Sequence, residues 1–264
     1  MMDKVFNGRV AVTFWFVVTL IGQWIFALYV AIYHGYTIVD KGLGAMGGKH
    51  MPNGYLEGDA TGNLTLASHL ILAVFVIAAG PLQLIPKIQR EYRSLHKWMG
   101  RIYLPLVVII AIGGVYLTWS RPRPSFGSIY QDIAISMEAL LIVIFAMLAW
   151  RSAIQRKIHR HRKWALRLFI TASGVWFLRI GYKAWFWIEE LLEFSIENFF
   201  DYWSFGSFLI PLGVLELYLR TMGSGNKKAE RRMAILLMLL TLFMALGIFL
   251  AAKGMWWPRM ISVW

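Results

Sequence analysis

The residues of this 264-residue chain that could do chemistry are a few titratable side chains set in or beside long apolar runs. His96 and His161 stand at nearly equivalent places at the heads of two such runs, one followed by Lys97 and Arg101, the other by Lys163 and Arg167. A bis-histidine haem needs two imidazoles at one depth on different helices, with cations nearby for its propionates. By spacing, His96 and His161 meet that need as iron ligands, with Arg101 and Arg167 beside them, and His159 is a second choice. The plainer alternative is two histidines in basic interfacial loops.

A second set lies deeper. Ionisable groups within membrane spans are costly and therefore candidates for function. Glu138 and Arg179 each fall about nine residues inside their runs, which at about 1.5 Å per residue puts both about 14 Å deep. Opposite charges at one depth on neighbouring helices predict an ion pair. Lys183 is one turn from Arg179 on the same face, and His69 shares its level. Together these four would make a pocket for an anionic group such as haem propionates or a quinone headgroup. The alternative is a structural Glu138–Arg179 pair with an interfacial His69.

The elements that must position these groups follow from composition. The chain is 58% hydrophobic and 16% aromatic, and its apolar residues fall in uninterrupted blocks, which indicates an all-α integral membrane protein. Runs long enough to cross a hydrocarbon core of about 30 Å lie at 10–33, 64–86, 98–119, 129–150, 164–188, 203–219 and 233–252, predicting seven transmembrane helices in one polytopic domain, 1–264. The first run is too long for a signal peptide and is followed by no small-residue cleavage site.

Several chemistries are excluded. With no cysteine, thiolate zinc sites, iron–sulfur clusters and covalent haem attachment are ruled out. No G-x-S-x-G, H-E-x-x-H or phosphate-loop pattern occurs. The net charge of +13 sits between apolar runs, where it sets topology and contacts anionic lipids, and no soluble basic domain exists to bind nucleic acid.

The region around the first histidine recurs. Ile88-Gln89-Arg90 returns as Ile154-Gln155-Arg156, Lys97-Trp98 as Lys163-Trp164 and Arg101 as Arg167, always 66 positions later, and the offset extends to Tyr116/Tyr182 and Trp119/Trp185. A fixed period marks a duplicated unit. It predicts a four-helix core of two parallel helical hairpins, repeat one at 64–119 and repeat two at 129–188, with peripheral helices 10–33, 203–219 and 233–252.

The motifs that carry this repeat, GPLQLIP with HKWMGRIY and then HRKWALRLF with Arg179 beyond it, resemble those of bacterial predicted membrane proteins of domain-of-unknown-function family 2306. The resemblance covers roughly residues 65–220 and implies a multi-helix membrane protein without an assigned chemistry. A cytochrome b561-type diheme bundle is similar in having a four-helix core, but it pairs histidines at both faces, and here the repeat-equivalent of His69 is Ile135.

Nineteen Lys and Arg fall on one set of alternate sides and six on the other. The positive-inside rule then places the N-terminus in the cytoplasm and the C-terminus outside, in the inner (plasma) membrane. The outer loop 34–63 holds His34, Asp40, His50, Met51, Glu57 and Asp59, a weak metal pattern more simply read as a solvated loop. Residues 189–201 alternate five carboxylates with apolar residues and predict an amphipathic interfacial helix, or a docking face for a cationic extracytoplasmic partner. Two functions fit: a membrane oxidoreductase carrying haem b or a quinone, or a non-redox small-molecule or lipid transporter or accessory subunit.

Overall fold

The computed structural model describes residues 8–47, 54–122 and 127–264. His50 and Met51 of the expected loop set, and Lys4, Lys49 and Arg123 of the charge count, lie outside those residues. Among the described residues the chain is entirely helical. Helix α1 begins at Gly8–Val30 and continues through a π-helical stretch, Ala31–Tyr36, to Thr37–Lys41. Helix α2 is Ala60–Leu82, capped by Asp59, whose carboxylate accepts the Gly62 N–H at 2.8 Å. A basic turn, Pro86–Arg90, leads to α3, Arg93–Ser120, and then to α4, Ile129–Ile154.

Next come α5, Ile158–Ala172, and α6, Gly174–Leu192, followed by α7, Phe199–Thr221. Helix α8 runs Lys227–Ala251 and continues through Ala252–Trp256 to Trp257–Ile261. Among the described residues six helices are long and apolar enough to cross a membrane: Gly8–Lys41, Ala60–Leu82, Arg93–Ser120, Ile129–Ile154, Phe199–Thr221 and Lys227–Ile261.

The segment expected as the fifth span is instead divided at Ser173. The Ser173 hydroxyl donates to the Phe169 carbonyl at 2.7 Å and accepts from Gln23 Nε2 of α1 at 2.8 Å. Gly174, a poor helix former, follows it. The Ser173 carbonyl restarts the next helix by accepting from both Trp176 N and Phe177 N at 3.0 Å. Divided in this way, α5 is too short to cross alone, and α6 carries Arg179, Lys183, Glu189 and Glu190.

The break lies at the centre of the bundle. A Cβ on Gly174 would come within 2.9 Å of the Glu138 carboxyl carbon from α4 and 3.2 Å of Phe208 Cβ from α7. Below it Phe169 packs on Gly80 of α2 and edge-on to Trp15 of α1. Around this axle α2, α3 and α4 pack in sequence, α1 sits between α2 and α8, and α7 leans on α5 and α6. Large apolar side chains point outward all round the bundle, among them Leu28, Phe75, Ile112, Leu140, Leu239 and Phe249, as lipid solvent requires.

Two expectations need correction. No interfacial helix forms over 189–201: α6 ends at Leu192, Glu193 and Asn198 take left-handed backbone conformations, and α7 starts at Phe199. The two halves of the sequence repeat also differ, since α3 is continuous for 28 residues where the second copy is broken. They share one local device, a guanidinium stacked on the tryptophan three residues before it: Arg101 on Trp98 at 5.0 Å and Arg167 on Trp164 at 4.6 Å.

Helices approach closely where glycines face backbone. A Cβ on Gly247 of α8 would stand 2.9 Å from the Ile180 carbonyl oxygen of α6, whereas one on Gly213 would meet nothing within 4 Å. Gly247→Ala is therefore expected to cost about 1–3 kcal/mol through overpacking, and Gly213→Ala to be neutral or to stabilise by about 0.5–1 kcal/mol. Thermal unfolding of the purified variants reads both.

Candidate functional site

At the end of the bundle carrying the basic turns, His161 opens the first turn of α5 and sets Nδ1 3.0 Å from the Ala149 carbonyl oxygen of α4. A carbonyl oxygen only accepts, so Nδ1–H donates in that contact. His96, in the first turn of α3, is within electrostatic range of His161 and Arg162, and its buried Nδ1 has no hydrogen-bond partner.

Their expected cations behave differently. Arg101 is exposed and stacked on Trp98. Arg167 is committed to Glu216 of α7 by a two-pronged ion pair, Nε to Oε1 at 2.6 Å and Nη2 to Oε2 at 2.8 Å. Its side chain is 16% exposed and that of Glu216 is 32% exposed. In the sequence Glu216 is a lone carboxylate near the end of the apolar run 203–219. The signal that could have assigned it is an opposite charge at the matching level of a neighbouring helix.

The deeper set does not assemble as expected. Among the described residues the ion pairs are Lys87–Glu91, Arg121–Asp59 and Arg167–Glu216, and Glu138 and Arg179 form none. Glu138 lies against Gly174. Arg179 is five residues further on, about 140° around a helix of 3.6 residues per turn, and points elsewhere. Its Nη1 donates to the Val175 carbonyl at 3.1 Å and its guanidinium lies 5.3 Å from the centre of the Phe26 ring. The two charges are therefore not level: Glu138 lies against Gly174, and Arg179 is about 7.5 Å further along α6 at about 1.5 Å per residue.

His69 packs on a pair of glycines in α3, with Cε1 3.4 Å from the Cβ position of Gly114 and Nδ1 3.8 Å from that of Gly113. It is within electrostatic range of Arg179, and its Nδ1 has no hydrogen-bond partner. Lys183, half-buried, follows Arg179 by one turn.

Of the loop set, His34, Asp40, Glu57 and Asp59 are described. Among the described residues no group of three or more His, Cys, Asp and Glu could hold a metal ion. Asp59 caps α2 and faces buried Arg121 at 3.4 Å. His34 packs edge-on to Tyr33 at 4.8 Å.

One feature had no sequence signal. An apolar cavity of about 380 Å³ is bounded by Trp15 of α1, Ile170 of α5, Ile180 of α6, Pro211 and Val214 of α7 and Met244 of α8. This is within the usual range for small-molecule sites. It exists because α7 touches α8 only lightly while both lean on α6. Along α7 its lining extends from Trp203 to Tyr218, about 22 Å at 1.5 Å per residue.

The two charge arrangements predict different double-mutant cycles. Arg167→Gln and Glu216→Gln are expected to couple by about 0.5–3 kcal/mol, whereas Glu138→Gln and Arg179→Gln should add within about 0.5 kcal/mol, because they share no contact. Unfolding free energies of the single and double variants check both.

No curated protein and no solved structure matches the chain. A family model, described as "Predicted membrane protein (DUF2306)", matches residues 66–219, from α2 through α7. More than half of the sequence, including the broken helix, His96 and His161, lies inside that match, and the chain belongs to this family of predicted membrane proteins.

Proposed function

We propose that the protein binds a long-chain amphiphile, a quinone or a lipid, inside the bilayer, with its chain in the cavity between α1, α5–α6, α7 and α8. The observation that carries this reading is the cavity itself: about 380 Å³ with an apolar lining contributed by all five helices. Such a space suits an isoprenoid or acyl chain and offers little to a polar solute. A quinone there would make the protein a membrane oxidoreductase or electron-transfer component, and a lipid would make it a transporter or accessory subunit.

In this reading α5 and α6 cross the membrane together as two half-helices, giving seven passes around the duplicated four-helix core. Broken helices of this kind commonly mark binding sites in transporters. The cation asymmetry supports an inner-membrane location with the basic turns and N-terminus cytoplasmic and the C-terminus outside. The basic turns would contact anionic lipids, and the acidic segment 189–201 a cationic extracytoplasmic partner.

A second reading, haem b held between His96 and His161, is favoured by one observation. His161 Nδ1 is anchored on the Ala149 carbonyl, the arrangement that orients a metal-ligating histidine. Arg167, held by Glu216, is a poor propionate partner in that scheme, which leaves Arg101 and Lys97.

Organic extraction of the purified protein tests the first reading. A chain amphiphile is expected at about one per chain, with a several-fold reduction when Val214→Trp fills the cavity. Equal recovery from both proteins would count against it. A reducible Soret band lost in His161→Ala would instead select haem.

A further inference from the structure

At the end of the bundle opposite the basic turns, two guanidinium groups converge on Tyr29. Arg259 Nη1 donates to the Tyr29 hydroxyl at 3.2 Å, and its Cζ lies 6.0 Å from the centre of the Tyr33 ring. Arg179 is within electrostatic range of both Tyr29 and Arg259. Neither arginine has a carboxylate partner among the described residues. His69, whose Nδ1 has no hydrogen-bond partner, is within electrostatic range of Arg179.

The wall behind them is aromatic: Tyr29 stacks on Tyr33 at 5.5 Å and on Trp256 at 6.2 Å. Two like charges against a low-dielectric wall repel strongly, and an anion between them removes the repulsion. Arg179 is half-buried, and α6 packs on α7 and α8 with little contact to α2, α3 or α4.

We propose that Arg179 and Arg259, with His69 alongside, form a binding site for a phosphate oxyanion. Both guanidinium groups are permanently charged, and their planar forks match phosphate geometry. The site is separate from the apolar cavity, which lies along the Ile180, Gly181 and Ala184 face of α6. A phospholipid headgroup presents such an oxyanion at a membrane surface. The same chemistry would serve inorganic phosphate.

The test uses the full chain in phosphatidylcholine nanodiscs with and without phosphatidylglycerol, read by native mass spectrometry, with inorganic phosphate titrated in a separate arm. Wild-type protein is expected to retain one phosphatidylglycerol that Arg179→Gln and Arg259→Gln each hold about tenfold less tightly, while Arg220→Gln at the other end retains it. If Arg179→Gln does not fold, Arg259→Gln and Tyr29→Phe carry the comparison. Phosphate that displaces the lipid, or binds in its absence with the same arginine dependence, identifies a free oxyanion as the occupant. Binding of neither in an arginine-dependent way would overturn the proposal.

Discussion

Gln23 reaches from α1 to the Ser173 hydroxyl, and around that hydrogen bond the fifth long segment gives up its helical continuity. A serine whose hydroxyl returns to its own i−4 carbonyl, followed by glycine, loosens a helix on any background. Here the loosened point is also where the neighbours close in: Glu138 from α4 and Phe208 from α7 occupy the space a side chain on Gly174 would need. The break is thus specified from three directions, and the halves on either side take different neighbours. Helix α5 belongs to α4 and α7, and α6 to α7 and α8.

That change of partners accounts for the contrast between the two ends of the bundle. At the basic end Arg167 finds Glu216 across a tight α5–α7 contact. At the other end α6 has moved away from α2, α3 and α4, and Arg179 meets aromatic rings and a second arginine instead of a carboxylate. The apolar face of the same helix turns toward the cavity. A single interruption therefore separates an ion pair, an arginine without a carboxylate partner among the described residues and an apolar pocket.

Much of this was legible in the sequence. The apolar blocks located every long helix to within a few residues at most ends, because a lipid-facing helix must be apolar along its length. The nearness of His96 and His161 followed from their equivalent places at two helix starts. The Glu138–Arg179 pair failed because residue counts along two apolar runs fix neither the relative level nor the azimuth of their side chains: Glu138 lies against Gly174, five residues before Arg179. The break itself is carried by two small residues that look unremarkable inside an apolar run. The cavity depends on how far α7 and α8 diverge, a tertiary quantity with no local signature. The expected helix over 189–201 gave way to a turn, since Glu193 and Asn198 take backbone conformations that interrupt it.

The central claim is that the Ser173–Gly174 break lies within a single crossing, so that the two ends of the α5–α6 segment face opposite sides of the membrane. The chain has no cysteine, so single cysteines at exposed Gln155 and Ser195 report sidedness without background. The account predicts that a membrane-impermeant maleimide applied to intact cells labels Ser195→Cys at once and Gln155→Cys only after permeabilisation. Equal labelling of both positions from one side would mean that α5 and α6 form a re-entrant pair, and would contradict it.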